Sequence, residues 1–142
     1  MMNELQLKLC DIQGRLFELS VDKNYGSANF VKTFMNSDVA KALDSTYNRM
    51  QWAGEEYLLE ELTAVEEHKV TKEGEVYSKE ILYWMGYLYR YWHYYTNENS
   101  SKIYKQAPAG TMKRNYLMFH TMAPELAIQD LKEIHGQNTD GF

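Results

Sequence analysis

The stretch ILYWMGYLYRYWHYYT, Ile81 to Thr96, restricts the fold more than any other part of the chain. It packs two Trp, six Tyr and a Met around single Gly, Arg and His residues. Helical and strand periodicities both match so dense a run, so length has to decide. A strand over residues 78–96 would be far longer than the usual 3–10 residues or so. The spacing therefore predicts a helix of about five turns. On its wheel Lys79, Tyr83, Gly86, Arg90 and His93 form one narrow stripe, and the rest is apolar or aromatic. A helix apolar nearly all round belongs in a core. Gly86 costs about 1 kcal/mol of helix propensity against Ala, which predicts another backbone passing close to it.

The flanking sequence reads as further helices. Leu5, Leu9, Ile12, Leu16 and Leu19 make one stripe, and DKNYG (residues 22–26) ends it. Ser27 and Ser37 are N-cap candidates for two short helices. Residues 45–67 read as one long acidic helix with Met50, Tyr57, Leu58, Leu62 and Val65 inward and the glutamates outward. After the aromatic helix, Ser100 or Ser101 caps a short helix. Pro108 to Gly110 breaks it, and Thr111 caps the next. Pro124 opens a last helix with a stripe of Ala127, Ile128, Leu131 and Ile134, and Gly136 is placed to cap its end. The expected fold is all-α: one domain over residues 1–136, a bundle of five to seven helices around a buried aromatic helix, with residues 137–142 a frayed tail.

Composition removes several function classes. Of the 142 residues, 44% are hydrophobic, enough for a core without metal or disulfide, and the single Cys10 pairs with nothing internal. No run approaches the ~18 apolar residues of a membrane span. The N-terminus has no basic segment leading into an apolar one, so the expectation is a cytoplasmic protein with no membrane partner. Residues 1–77 carry eight Lys/Arg against fourteen Asp/Glu, and residues 78–142 carry seven against six. An acidic first half disfavours broad phosphate binding. The four His are scattered in sequence, no phosphate loop or nucleophile elbow occurs, and no cofactor or metal site is expected.

The candidate binding residues come from charge. A buried Arg90 needs a carboxylate, because an unpaired buried charge is very costly. Glu55, Glu56 and Glu60 of the acidic helix are the candidate partners. The alternative is that Arg90 and His93 line a groove gripping an anion or a partner's carboxylate. Adjacent glutamates point to different sides of a helix, so the run reads as a solvated face or as a surface matched to a basic partner protein. The aromatic helix also leaves open a face for a homodimer. The helix–break–helix over residues 100–120 allows a DNA-reading motif with Lys113 and Arg114 early in its second helix.

Two resemblances add expectations. The string RNYLMFH, residues 114–120, resembles the HEPN family, helical bundles that include metal-independent RNases. Arg114, Asn115 and His120 match that family's motif, which implies an Arg stabilising phosphate charge and a His transferring a proton. Residues 114 and 120 lie about 120° apart on a helix, so both reach one phosphate only if the helix ends near His120. The strings DSTYNRMQWAGEEYLLEEL and YSKEILYWMGYLYRYW, with SSKIYK and MFHTMAPELAIQDL, are similar to small bacterial proteins of gut Firmicutes. Those are encoded beside small toxin genes, ADP-ribosyltransferase-like ones among them. That resemblance covers most of the chain and implies the neutralising member of a toxin–antitoxin or defence pair. The leading expectation is a non-enzymatic antitoxin or inhibitor binding a toxin through Glu55, Glu56, Glu60, Arg90 and His93. A HEPN-like RNase and a DNA binder are the alternatives.

Overall fold

The computed structural model describes residues 2–140, the last three by backbone alone. It is all-helical: α1 (Glu4–Asp22), α2 (Ser27–Met35), α3 (Asp38–Asp44), a 3-10 turn (Arg49–Trp52), α4 (Glu55–Glu66), α5 (Lys79–Thr96), α6 (Ser100–Gln106), α7 (Ala109–Phe119) and α8 (Pro124–Asp140). The eight α-helices among the described residues exceed the expected five to seven. Among them no helix is long and apolar enough to cross a membrane.

The centre of the molecule is the antiparallel pair α1–α5. Two contacts show its direction: Lys79 at the start of α5 meets Asp22 at the end of α1 at 2.8 Å, and Tyr83 one turn on donates back to Asp11. The expected close approach at Gly86 is present. A Cβ there would lie 2.5 Å from the Gln13 carbonyl oxygen and 2.9 Å from the Phe17 ring. The gap is bridged by the Gln13 side chain, which donates to the Gly86 carbonyl at 3.0 Å. Phe17 then meets Phe30 and Phe34 of α2 edge-on, each at 5.5 Å. Such edge-to-face pairs add to the stabilisation that ring burial provides. The α5 stripe of Gly86, Arg90 and His93 is buried, while Tyr83, Trp84, Tyr87 and Tyr91 are only half-buried. The helix is central without being covered all round.

Several boundaries differ from expectation for local reasons. Residues 45–67 are not one helix. Asn48 caps the 3-10 turn through the Met50 N–H at 2.9 Å, the chain is extended at Ala53, and Gly54 caps α4. The shift rotates the inward face of α4: Leu58, Leu59 and Leu62 are buried, but Tyr57 and Val65 are exposed. Ser37 caps α3 as expected, and Ser78 caps α5. Ser27 instead lies inside α2, where its hydroxyl accepts the Tyr77 N–H at 2.8 Å and straps the segment before α5 onto α2. Asn99 caps α6 in place of Ser100 or Ser101. α7 begins directly after Pro108, ahead of Thr111. Gly136 does not cap α8, because the helix continues through it to Asp140. The expected tail therefore begins as helix, and residues 141 and 142 lie outside the described residues.

One carboxylate ties α8 to α5 and α6. Glu98 accepts from Lys132 at 2.5 Å, Trp92 Nε1 at 3.0 Å and Gln106 at 2.8 Å. Burial pushes this carboxyl up from its ordinary 4.5. Hydrogen bonds from Lys132, Trp92, Gln106 and Thr96 outweigh that and hold it down at about 2. A depressed carboxyl contributes stability above its ordinary value and loses it as pH falls through the folded one. Denaturant titrations of wild type and Glu98→Gln should therefore differ fully above about pH 4.5 and converge toward pH 2. A gap that stays constant over that range contradicts the assignment.

Candidate functional site

The polar residues of α5 form an interior network. Arg90 is 0% exposed. Its Nε donates to Gln13 at 2.8 Å, Nη1 to Asp44 at 2.6 Å and Nη2 to the Ser100 hydroxyl at 3.2 Å. Asp44 also accepts the Ser100 backbone N–H at 2.8 Å and the Ser100 hydroxyl at 2.7 Å. The carboxylate that pairs Arg90 therefore comes from the last turn of α3, not from Glu55, Glu56 or Glu60. The break over residues 45–54 is the reason: it lets α3 end against α5 while α4 packs on α1 and α3. Arg90 meets protein groups on every arm and faces no groove.

His93 is buried too, with Nδ1 at 2.6 Å from the Glu98 carbonyl oxygen and 3.7 Å from Asp44. It borders a small recess of about 330 Å³ that Tyr94, Gln51 and Tyr47 also line. The Tyr94 hydroxyl is buried there without a partner among the described residues, and burial pushes it up to about 12. Cys10 is buried beneath, also pushed up to about 12 by burial, so it presents no thiolate near neutral pH.

The acidic residues lie on a different surface. Glu56 and Glu60 are exposed on α4, and Glu55 is half-buried in its first turn. Three aromatics in and before this segment, which composition alone places in a core, are exposed: Tyr47 92%, Trp52 75% and Tyr57 47%. Arg49, Met50, Trp52, Ala53 and Tyr57 shape one shallow depression there. Tyr57 joins the two groups, because its hydroxyl bonds to Glu61, which pushes the phenol up. Helical periodicity does not single out Trp52 and Tyr47. The signal available was two aromatics between the turn-formers Asn48 and Gly54 and the end of α3.

α7 carries the RNase-like residues. Arg114 is exposed and donates to the Thr111 hydroxyl at 3.3 Å, and Asn115 donates to the Thr111 carbonyl at 2.8 Å. His120 caps the helix end, with Nδ1 2.7 Å from the Tyr116 carbonyl oxygen and its ring stacked on Tyr116 at 4.4 Å. The helix does end at Phe119, but Arg114 and His120 have different surroundings. His120 helps wall an aromatic cleft of about 540 Å³ between α5 and α7, and neither Arg114 nor Asn115 lines it. Lys113 pairs with Glu75 at 2.5 Å and lies over the Tyr77 ring at 5.0 Å, so its charge is engaged within the fold. Among the described residues no three His, Cys, Asp or Glu side chains converge on a metal position. Comparisons with protein-family models, with curated proteins and with solved structures find no match.

Proposed function

We propose that this chain is a protein-binding module, and that the corner of residues 47–61 docks a basic protein partner. The observation that carries this is Trp52, three-quarters exposed and sharing a shallow depression with exposed Tyr57, at the start of a run of glutamates. Contiguous exposed apolar surface rimmed by polar groups marks interaction sites. Trp, Tyr and Arg are the side chains that dominate interface energetics, and Arg49 completes the set. Glu55, Glu56, Glu60 and Glu61 around the rings select a cationic partner and speed its approach. Joined to the resemblance proposed from the sequence, the reading is an antitoxin or inhibitor that covers a toxin's basic cleft. Arg90 and His93 serve by holding α3, and so the corner that follows it, against α5.

The test is capture of partners from the native host after nuclease treatment, with the corner variants in parallel. The expected result is one stoichiometric protein that inhibits growth when expressed alone and ceases to do so when co-expressed with this chain. Trp52→Ala should weaken its binding by about 30-fold or more, the scale of an interface hot spot. Glu56→Lys with Glu60→Lys should slow association and flatten its salt dependence. Binding indifferent to all three substitutions, or recovery of RNA alone, overturns the reading. In the second case, loss of RNA cleavage in a folded His120→Ala variant would establish the nuclease.

A further inference from the structure

The cleft between α5 and α7 shares no residue with the docking corner, and its chemistry is different. Glu80, Tyr83, Trp84 and Tyr87 follow one another at helical spacing and present one face of α5. Tyr116 and His120 of α7 stand opposite. Trp84 meets Tyr116 edge-on at 5.6 Å and 75°, and the Tyr83 and Tyr87 rings lie 6.1 Å apart. Leu88, Met122 and Pro124 complete an apolar lining. The space, about 540 Å³, lies in the ~300–1,000 Å³ range of small-molecule sites.

The charge in this cleft is of one sign. α1 and α5 run antiparallel, so Glu18 and Glu80 come to the same end of it. Neither carboxylate has a hydrogen bond or ion pair among the described residues. Lys79, the ammonium that feels the charge of Glu18, is committed to Asp22 at 2.8 Å. An anion would be repelled here, and a purely apolar ligand would gain nothing from the two carboxylates. A cation gains from both the carboxylates and the negative faces of the rings.

We propose that this cleft binds a small organic cation, an amine or quaternary ammonium with an apolar body, held by Tyr83, Trp84, Tyr87 and Tyr116 with Glu18 and Glu80 at its charged end. The proposal is independent of the protein partner, since Trp52 and the α4 glutamates play no part in it.

The test compares choline with its neutral isostere 3,3-dimethylbutan-1-ol by NMR titration of the wild-type protein. Choline should saturate the site, with its methyl protons shifted upfield by the rings and the Trp84 indole resonance perturbed. It should bind about tenfold more tightly than the alcohol, the size of a cation–ring contribution at a half-desolvated site. Glu18→Gln with Glu80→Gln, at positions that support no internal bond, should reduce choline affinity and leave the alcohol's unchanged. Equal affinity for the two probes, choline binding indifferent to the double substitution, or no saturable shift with choline each overturns the proposal.

Discussion

Asp44→Ala lowers the unfolding free energy by about 3–5 kcal/mol, because it leaves the Arg90 guanidinium buried without its counter-charge. Arg90 is fully buried, so its guanidinium depends on protein groups for its hydrogen bonds. The substitution also strips the Ser100 N–H and hydroxyl of their acceptor at the start of α6. The cost therefore falls on the junction of α1, α3, α5 and α6 together. Arg90→Met combined with Asp44→Ala should cost clearly less than the sum of the two single changes, since no charge is then stranded. Urea titration of the four proteins measures this directly. Strict additivity would mean that the pair contributes nothing as a pair.

Gly86→Ala costs roughly 1–3 kcal/mol even though it replaces a poor helix former with the best one. The new methyl would sit 2.5 Å from the Gln13 carbonyl oxygen, which is backbone and cannot rotate away. α1 and α5 must separate, and the Gln13 bridge to both Gly86 and Arg90 lengthens with them. Coupling of this kind predicts that Gly86→Ala and Asp44→Ala are not additive, because both act on the Gln13–Arg90 contact. Thermal and urea denaturation decide it. Unchanged or higher stability would show that the helices can part without loss.

These two sites also show what the sequence could convey. Gly86 was legible because a glycine inside a strong helical pattern weakens the helix unless a neighbouring backbone needs the space. The α1 stripe, the Ser37 cap and the α8 stripe were legible because each depends on neighbours within a turn. The partner of Arg90 was not. Asp44 is 46 residues away, and the choice between it and the α4 glutamates turned on whether residues 45–54 stay helical. There, a run of good helix formers from Glu55 onward masked the weak local signals of Asn48 and Gly54. Three adjacent cap-capable residues, Asn99 to Ser101, likewise left the start of α6 open by one or two positions.

The surfaces were the least legible part. Periodicity assigned Tyr57 and Val65 inward, and the break in the helix turned them out. Trp52 and Tyr47 carry the composition of a core but stand in solvent, a contrast that only exposure reveals. The cleft follows from a tertiary fact as well. One face of α5 was plainly aromatic, but how α7 stands against it depends on Tyr116 packing on Trp84.

Residues 47–61, as the docking surface, should lose solvent access when the partner binds. The most direct measurement is amide hydrogen exchange on the complex with the captured partner, compared with the free chain. New protection is expected across the 3-10 turn and the first two turns of α4, with little change at residues 112–124. Protection confined to α7 and the start of α8, with the 47–61 corner exchanging as in the free chain, would contradict it.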